Sequence, residues 1–119
     1  MYWKENDSAA VVEAHEAHGG EGTIRLNPLF QHVSKLSVNI SVLELEPGVS
    51  EGNHTHEDDD ALEEIYYFTE GQGVVSVDGR DLPVAAGDAV LAPPGTEHGI
   101  RNTGKGHMKV VFIWGRPKG

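Results

Sequence analysis

From Thr23 to Gly115 the sequence is a series of short segments with β-type chemistry, each closed off by glycine, proline or an Asp-Gly pair. TIRLNPLF (23–30) reads as a first strand, interrupted at Pro28. KLSVNISVLEL (35–45) sets Leu36, Val38, Ile40 and Val42 against Ser37, Asn39 and Ser41, the alternation of a half-buried strand. EIYYFTE (64–70) is rich in aromatic and β-branched residues. GQGVVSVDGRDL (71–82) is a hairpin with Asp78-Gly79 as its two-residue turn. GDAVLAPPGTEH (87–98) is a short apolar strand running into a Pro-Gly turn, and MKVVFIWG (108–115) is a closing strand. About nine or ten strands at this spacing imply an all-β sandwich or barrel of antiparallel strands.

A chain of 119 residues suits one domain. Residues 23–119 read as the barrel domain and residues 1–22 as an N-terminal arm or short helix. Ser8 to His18 has the length for a short helix with Ser8 as its N-cap, but such a helix needs packing to persist. It reads equally well as an arm that joins a sheet edge. The segment HGGEG (18–22) ends any regular structure there.

Composition removes several function classes. The chain has no cysteine, which excludes a disulfide scaffold and any thiolate metal site. Its formal net charge of −10 argues against nucleic acid as a partner and against a polybasic membrane patch. No apolar run approaches the roughly 20 residues of a membrane span. MYWKENDSAA at the N-terminus has no signal-type hydrophobic stretch. The expectation is a soluble cytoplasmic protein.

Three places offer nitrogen or carboxylate ligands near strands: His54 and His56, Glu63 and Glu64, and His98. Positions i and i+2 of a strand share a face, so His54 and His56 would point the same way. Divalent transition metals accept imidazole and carboxylate together. Any one of these histidines alone would be an ordinary surface or core residue. Their joint spacing is what raises a metal site.

That spacing is specific. Gly48 is followed by five residues and then His54-Thr55-His56, and Glu64 is followed by six residues and then Gly71. Gly87, Pro93, Gly95, His98 and Asn102 repeat a second fixed pattern. In both, the chain resembles the cupin family, small β-barrels of the double-stranded β-helix or jelly-roll type. The resemblance implies a cupin barrel with a short N-terminal arm. It also implies one divalent transition metal (manganese, iron, nickel, copper or zinc) on His54, His56, Glu64 and His98. One departure stands out. Seven residues, EDDDALE, separate His56 from Glu64 where the family has three or four. The gap to Gly71 selects Glu64 over Glu63, and strand parity agrees, since Glu64 shares a face with Tyr66 and Phe68. The insertion lengthens a loop near the barrel mouth. Within it Asp58, Asp59 and Asp60 read as a solvated stretch.

The other motif residues have structural readings. Gly48, Gly71, Gly87 and Gly95 sit where chain reversals need unusual dihedrals. Pro93 and Pro94 stiffen the turn that presents His98. Asn102 satisfies backbone groups near that turn. Tyr66, Phe68, Phe112 and Trp114 read as barrel lining or core, and a tyrosine facing the cavity could donate a proton. Arg80 and Arg101 could hold a substrate carboxylate, but parity turns Arg101 away from His98 and Asn102. His15 and His18 read as parts of an exposed arm, and His32 and His107 as surface.

Family members with such ligands include dioxygenases, isomerases, decarboxylases and lyases. The resemblance therefore implies a metalloenzyme acting on a small polar or carboxylate-bearing organic molecule, with the reaction and the catalytic residues undetermined. The alternative is a non-catalytic module that binds or senses a small molecule at the same site. A purely structural metal ranks last, because a barrel with its own apolar strands needs little metal help. Exposed strand edges and the arm invite pairing with a second copy, so a homodimer is expected.

Overall fold

The computed structural model describes residues 1–8, 11–55 and 61–118. Among them are ten strands: β1 (Val12–His15), β2 (Thr23–Leu29), β3 (Val38–Leu45), β4 (Ser50–His54), β5 (Glu63–Glu70), β6 (Gln72–Val77), β7 (Arg80–Ala85), β8 (Ala89–Ala92), β9 (His98–Asn102) and β10 (Met108–Gly115). One sheet has the order β1-β2-β3-β10-β5-β8 and the other β4-β9-β6-β7. Every pairing is antiparallel. From β3 onward the chain passes back and forth between the sheets, which is the jelly-roll architecture. No α-helix occurs among the described residues, and no helix is long and apolar enough to cross a membrane.

The sheets meet through side chains from both. Leu43, Phe68 and Val110 of the larger sheet pack against Val75, Val84 and Ile100 of the smaller one, all buried. Strand β10 runs between β3 and β5, and its register sorts the interior into rungs. Met108 pairs with Leu45, and Val110 pairs with Leu43 and Phe68. Next, Phe112 pairs with Ser41 and Tyr66, and then Trp114 with Asn39 and Glu64. Paired residues share a face. The interior therefore grades from a fully apolar plug at Met108 and Val110 to an aromatic and polar end at Phe112 and Trp114. That gradient places the site at one end of the barrel.

Turn chemistry follows the sequence. Asp78 (φ 48°) and Gly79 (φ 80°) are both left-handed and join Val77 to Arg80, as a type I′ turn requires. Gly48, Gly71, Gly87 and Gly95 all have φ between 81° and 97°. Asn102 is buried, donates from Nδ2 to the carbonyls of Leu45 (2.8 Å) and Gly106 (2.9 Å), and accepts from the Gly104 N–H (2.9 Å).

Two local expectations differ. Pro28 does not interrupt the first strand: β2 runs through it to Leu29, with Pro28 opposite Ser41. Pairing with β1 ends at Leu26, so Pro28 has a neighbour on one side only, where a sheet tolerates proline. In β3 the core-facing residues are Leu43 and Leu45 on the odd face, not the even set from Leu36 to Val42. The strand starts only at Val38, and Leu36 is exposed. Of the two readings open for the stretch from Ser8 to His18, Val12–His15 follows the sheet-edge one: it is a strand paired with β2.

Candidate metal centre

His98 opens β9 directly after the Pro93-Pro94-Gly95 turn, where the Thr96 N–H donates to the Pro93 carbonyl (3.2 Å). Its Nδ1 donates to the Thr96 carbonyl (2.9 Å), which turns Nε2 toward Glu64 Oε2. His98 and Glu64 are each 2% exposed. The Tyr66 hydroxyl donates to the same Glu64 oxygen (2.7 Å), so the carboxylate is oriented from the next rung. Glu63 lies on the opposite face with Ile65 and the exposed Tyr67.

His54 reaches the same place from β4. Its Nδ1 is tied to the Gly52 carbonyl (3.0 Å), again leaving Nε2 as the presented nitrogen. Holding the far nitrogen on a carbonyl is how proteins orient metal-binding imidazoles. Ligand atoms of His54, Glu64 and His98 all lie within 4.8 Å of one another. His56, the fourth sequence-predicted ligand, and the acidic run at 57–60 lie outside the described residues.

The β4–β9 ladder pairs Glu51 with Ile100 and His54 with His98. Gly52 and Asn53 therefore stand opposite Gly99 alone, a β-bulge. In a regular strand Glu51 and His54 would face opposite ways. The bulge turns both inward, with Glu51 Oε1 3.9 Å from His54 Nδ1. That oxygen is buried and has no hydrogen-bond partner among the described residues. Parity hides Glu51 from a sequence reading, and the available signal was the glycine inside the strand.

The arm supplies one more residue. His18 stacks on His54 with ring centroids 3.7 Å apart and planes 8° from parallel. The contact is tight because both backbones lack side chains there. A Cβ at Gly52 would lie 2.0 Å from the His18 carbonyl oxygen, and one at Gly20 would lie 2.1 Å from the Ser50 oxygen. Glu21 and Ser50 exchange two hydrogen bonds, each 2.9 Å. Ligand atoms of His18, Glu51 and His54 also lie within 4.8 Å of one another. His15 bonds Thr23 Oγ1 (2.8 Å), and His107 bonds Glu44 and Glu46; neither belongs to the cluster. Arg101 is exposed.

The electrostatics follow from burial. Burial pushes the Glu51 carboxyl up to about 7, with Glu64 adding and His98 opposing. Burial lowers the His54 imidazole to about 4. The Tyr66 phenol is raised by burial and then by the charges of Glu51 and Glu64. For His98, burial pulls downward, but hydrogen bonds with Glu64 and Thr96 outweigh it and hold the imidazole above its ordinary value. Two carboxylates withdrawn from water beside two oriented imidazoles form a donor set that fits a divalent cation, whose charge offsets what burial makes costly.

The comparisons agree with this architecture. The family described as "Cupin domain" matches residues 41–114. An oxalate-binding protein of Thermotoga maritima is 33% identical over 100 residues, covering 80% of this chain and 78% of that protein. The crystal structure of a predicted oxalate decarboxylase from the same organism superposes with a TM-score of 0.85 at 28% identity, covering 94% of this chain and 97% of the other. A Cupin 2 conserved barrel domain protein from Salinispora arenicola gives 0.77 at 25% identity, covering 98% and 89%. The matched region contains His54, Glu64, His98 and the bulge at Glu51 but leaves out His18, and by its extent the chain belongs to the cupin family.

Proposed function

We propose that the chain is a metal-dependent enzyme acting on a small carboxylate-bearing organic molecule. His54, His56, Glu64 and His98 would hold one divalent ion of manganese, iron, nickel, copper or zinc. The observation that carries this reading is the convergence of His54, Glu64 and His98 within 4.8 Å, with both imidazoles anchored through Nδ1. When bound, such an ion supplies Lewis-acid polarisation of a substrate oxygen, or a redox centre. The chain's own residues do the rest. Thr96 and Gly52 orient the imidazoles, and Tyr66 holds Glu64. Glu51, with its carboxyl near 7, stands by as a group able to carry a proton. The names of the Thermotoga proteins favour a carboxylate as the ligand class.

Incubating the metal-loaded protein with oxalate and with larger mono- and dicarboxylates tests the reading. Consumption of one compound should cease on chelation and return with the metal. Tight binding without consumption would favour the second reading, a binding module, which the name of the oxalate-binding relative supports. A homodimer belongs to the same proposal. The outer face of the larger sheet carries Val38, Ile65, Tyr67, Leu91 and Ile113, with Tyr67 and Leu91 about half exposed, an apolar surface suited to a second copy. Sedimentation equilibrium checks it: a monomer mass at micromolar concentration would contradict it.

A further inference from the structure

We propose that the barrel mouth beside the metal ligands is a seat for an apolar, planar substrate body. The ligand class is then a monocarboxylate carrying an aryl or extended unsaturated group, not oxalate. This rests on the metal-centre reading above.

A cavity of about 400 Å³ has Leu26, Pro28, Phe30, Leu36, Ser41 and Trp114 among its lining residues. That is the size range of small-molecule sites, and its lining is mostly apolar with a few polar groups. Its position is set by register. Trp114 lies directly across from Glu64 and Asn39, and Phe112 across from Tyr66 and Ser41. Directly opposed side chains are immediate neighbours. The rings confirm the continuity. Trp114 stacks on Phe112 (4.7 Å, 17°), Phe112 on Tyr66 (5.0 Å, 8°), and the Tyr66 hydroxyl bonds Glu64. Trp114 in the cavity wall and Glu64, the member of the ligand cluster on this sheet, are therefore neighbours on one inner face. A carboxylate at the cluster therefore has its attached group directed along the Trp114 wall.

The apolar wall disfavours oxalate. A two-carbon dicarboxylate has no apolar atoms to place on Trp114, Leu26 or Pro28. A monocarboxylate with a flat hydrocarbon body covers that wall.

The test uses the full chain loaded with Mn²⁺. Binding of benzoate, cinnamate, 2-naphthoate and oxalate is measured by calorimetry, beside metal content on the same samples. Cinnamate or 2-naphthoate should bind at least about ten-fold more tightly than oxalate, the scale of one aromatic contact plus its buried area. Trp114→Ala should remove most of that advantage while leaving oxalate affinity unchanged, and Trp114→Phe should restore it. Circular dichroism verifies folding, and the phenylalanine variant carries the test if the alanine variant fails to fold. The proposal is overturned if no aryl carboxylate outbinds oxalate, or if Trp114→Ala weakens both classes equally. Absence of retained metal would sink the metal-centre reading alone: Trp114-dependent naphthoate binding to that sample would still support the seat, and its absence would overturn it.

Discussion

His18 lies flat on His54, ring over ring at 3.7 Å and 8° from parallel. Two imidazoles on adjacent positions of one ion must point their nitrogens toward a common centre. Rings stacked face to face send theirs side by side instead. His18 in this pose covers one face of the candidate ligand His54. His18→Ala should weaken metal binding several-fold, and His18→Phe, which stacks but cannot coordinate, should restore it. Competition with a coloured chelator reads both. Equal loss in the two variants would show that the nitrogen of His18 matters.

The same contact makes Gly52 intolerant. A Cβ there meets the backbone of His18 at 2.0 Å, so Gly52→Ala must push the arm off β4 or distort the bulge. The expected cost is about 1–3 kcal/mol, the usual range for overpacking. Gly106→Ala, with nothing within 4 Å, should stay within about 0.5 kcal/mol of wild type. Urea denaturation of both proteins compares them directly.

Asn102 holds the β9–β10 loop to β3 through three hydrogen bonds in a buried setting. Asn102→Ala leaves two carbonyls and one N–H to find other partners, a loss of about 2–4 kcal/mol. Metal bound per folded molecule should not change, because Asn102 is two residues past Ile100 and four past His98 along β9. A drop in metal with intact stability would show that the residue reaches the site.

His107 sits between Glu46 (2.7 Å to Nδ1) and Glu44 (2.9 Å to Nε2). Partial burial opposes its protonation, but the two carboxylates outweigh that and raise its pKa above 6.5. A raised folded-state pKa stabilises the protein fully below the unfolded value, and the benefit disappears as pH climbs through the folded value. Relative to His107→Gln, wild type should be more stable at pH 5.5–6 and lose that lead toward pH 9. The group is partly exposed, so the lead should be under about 1 kcal/mol. A difference that does not vary with pH would contradict this.

Strands were legible wherever apolar residues and turn signals coincide, as in β5 and the β6–β7 hairpin. The candidate ligands His54, Glu64 and His98 were legible through fixed motif gaps. In β3 the apolar set named the wrong face. At the mouth of a barrel with a polar interior, Ser41 faces inward while Val42 is covered from outside, where Asn6 bonds the neighbouring Asn27 side chain. Glu51 was hidden because one extra residue reverses parity, and parity is all that a lone strand offers. His18 was hidden because its partner is 36 positions away. Both Glu16 (φ 49°) and His18 (φ 51°) adopt left-handed conformations, which their residue types do not announce.

The most direct measurement is metal content of untagged protein, by elemental analysis, beside a His54→Ala, His98→Ala double variant. About one equivalent of a divalent transition metal per chain is expected in wild type and almost none in the folded variant. Equal metal in the two proteins, or none in wild type after incubation with manganese, iron, nickel, copper and zinc, would contradict it.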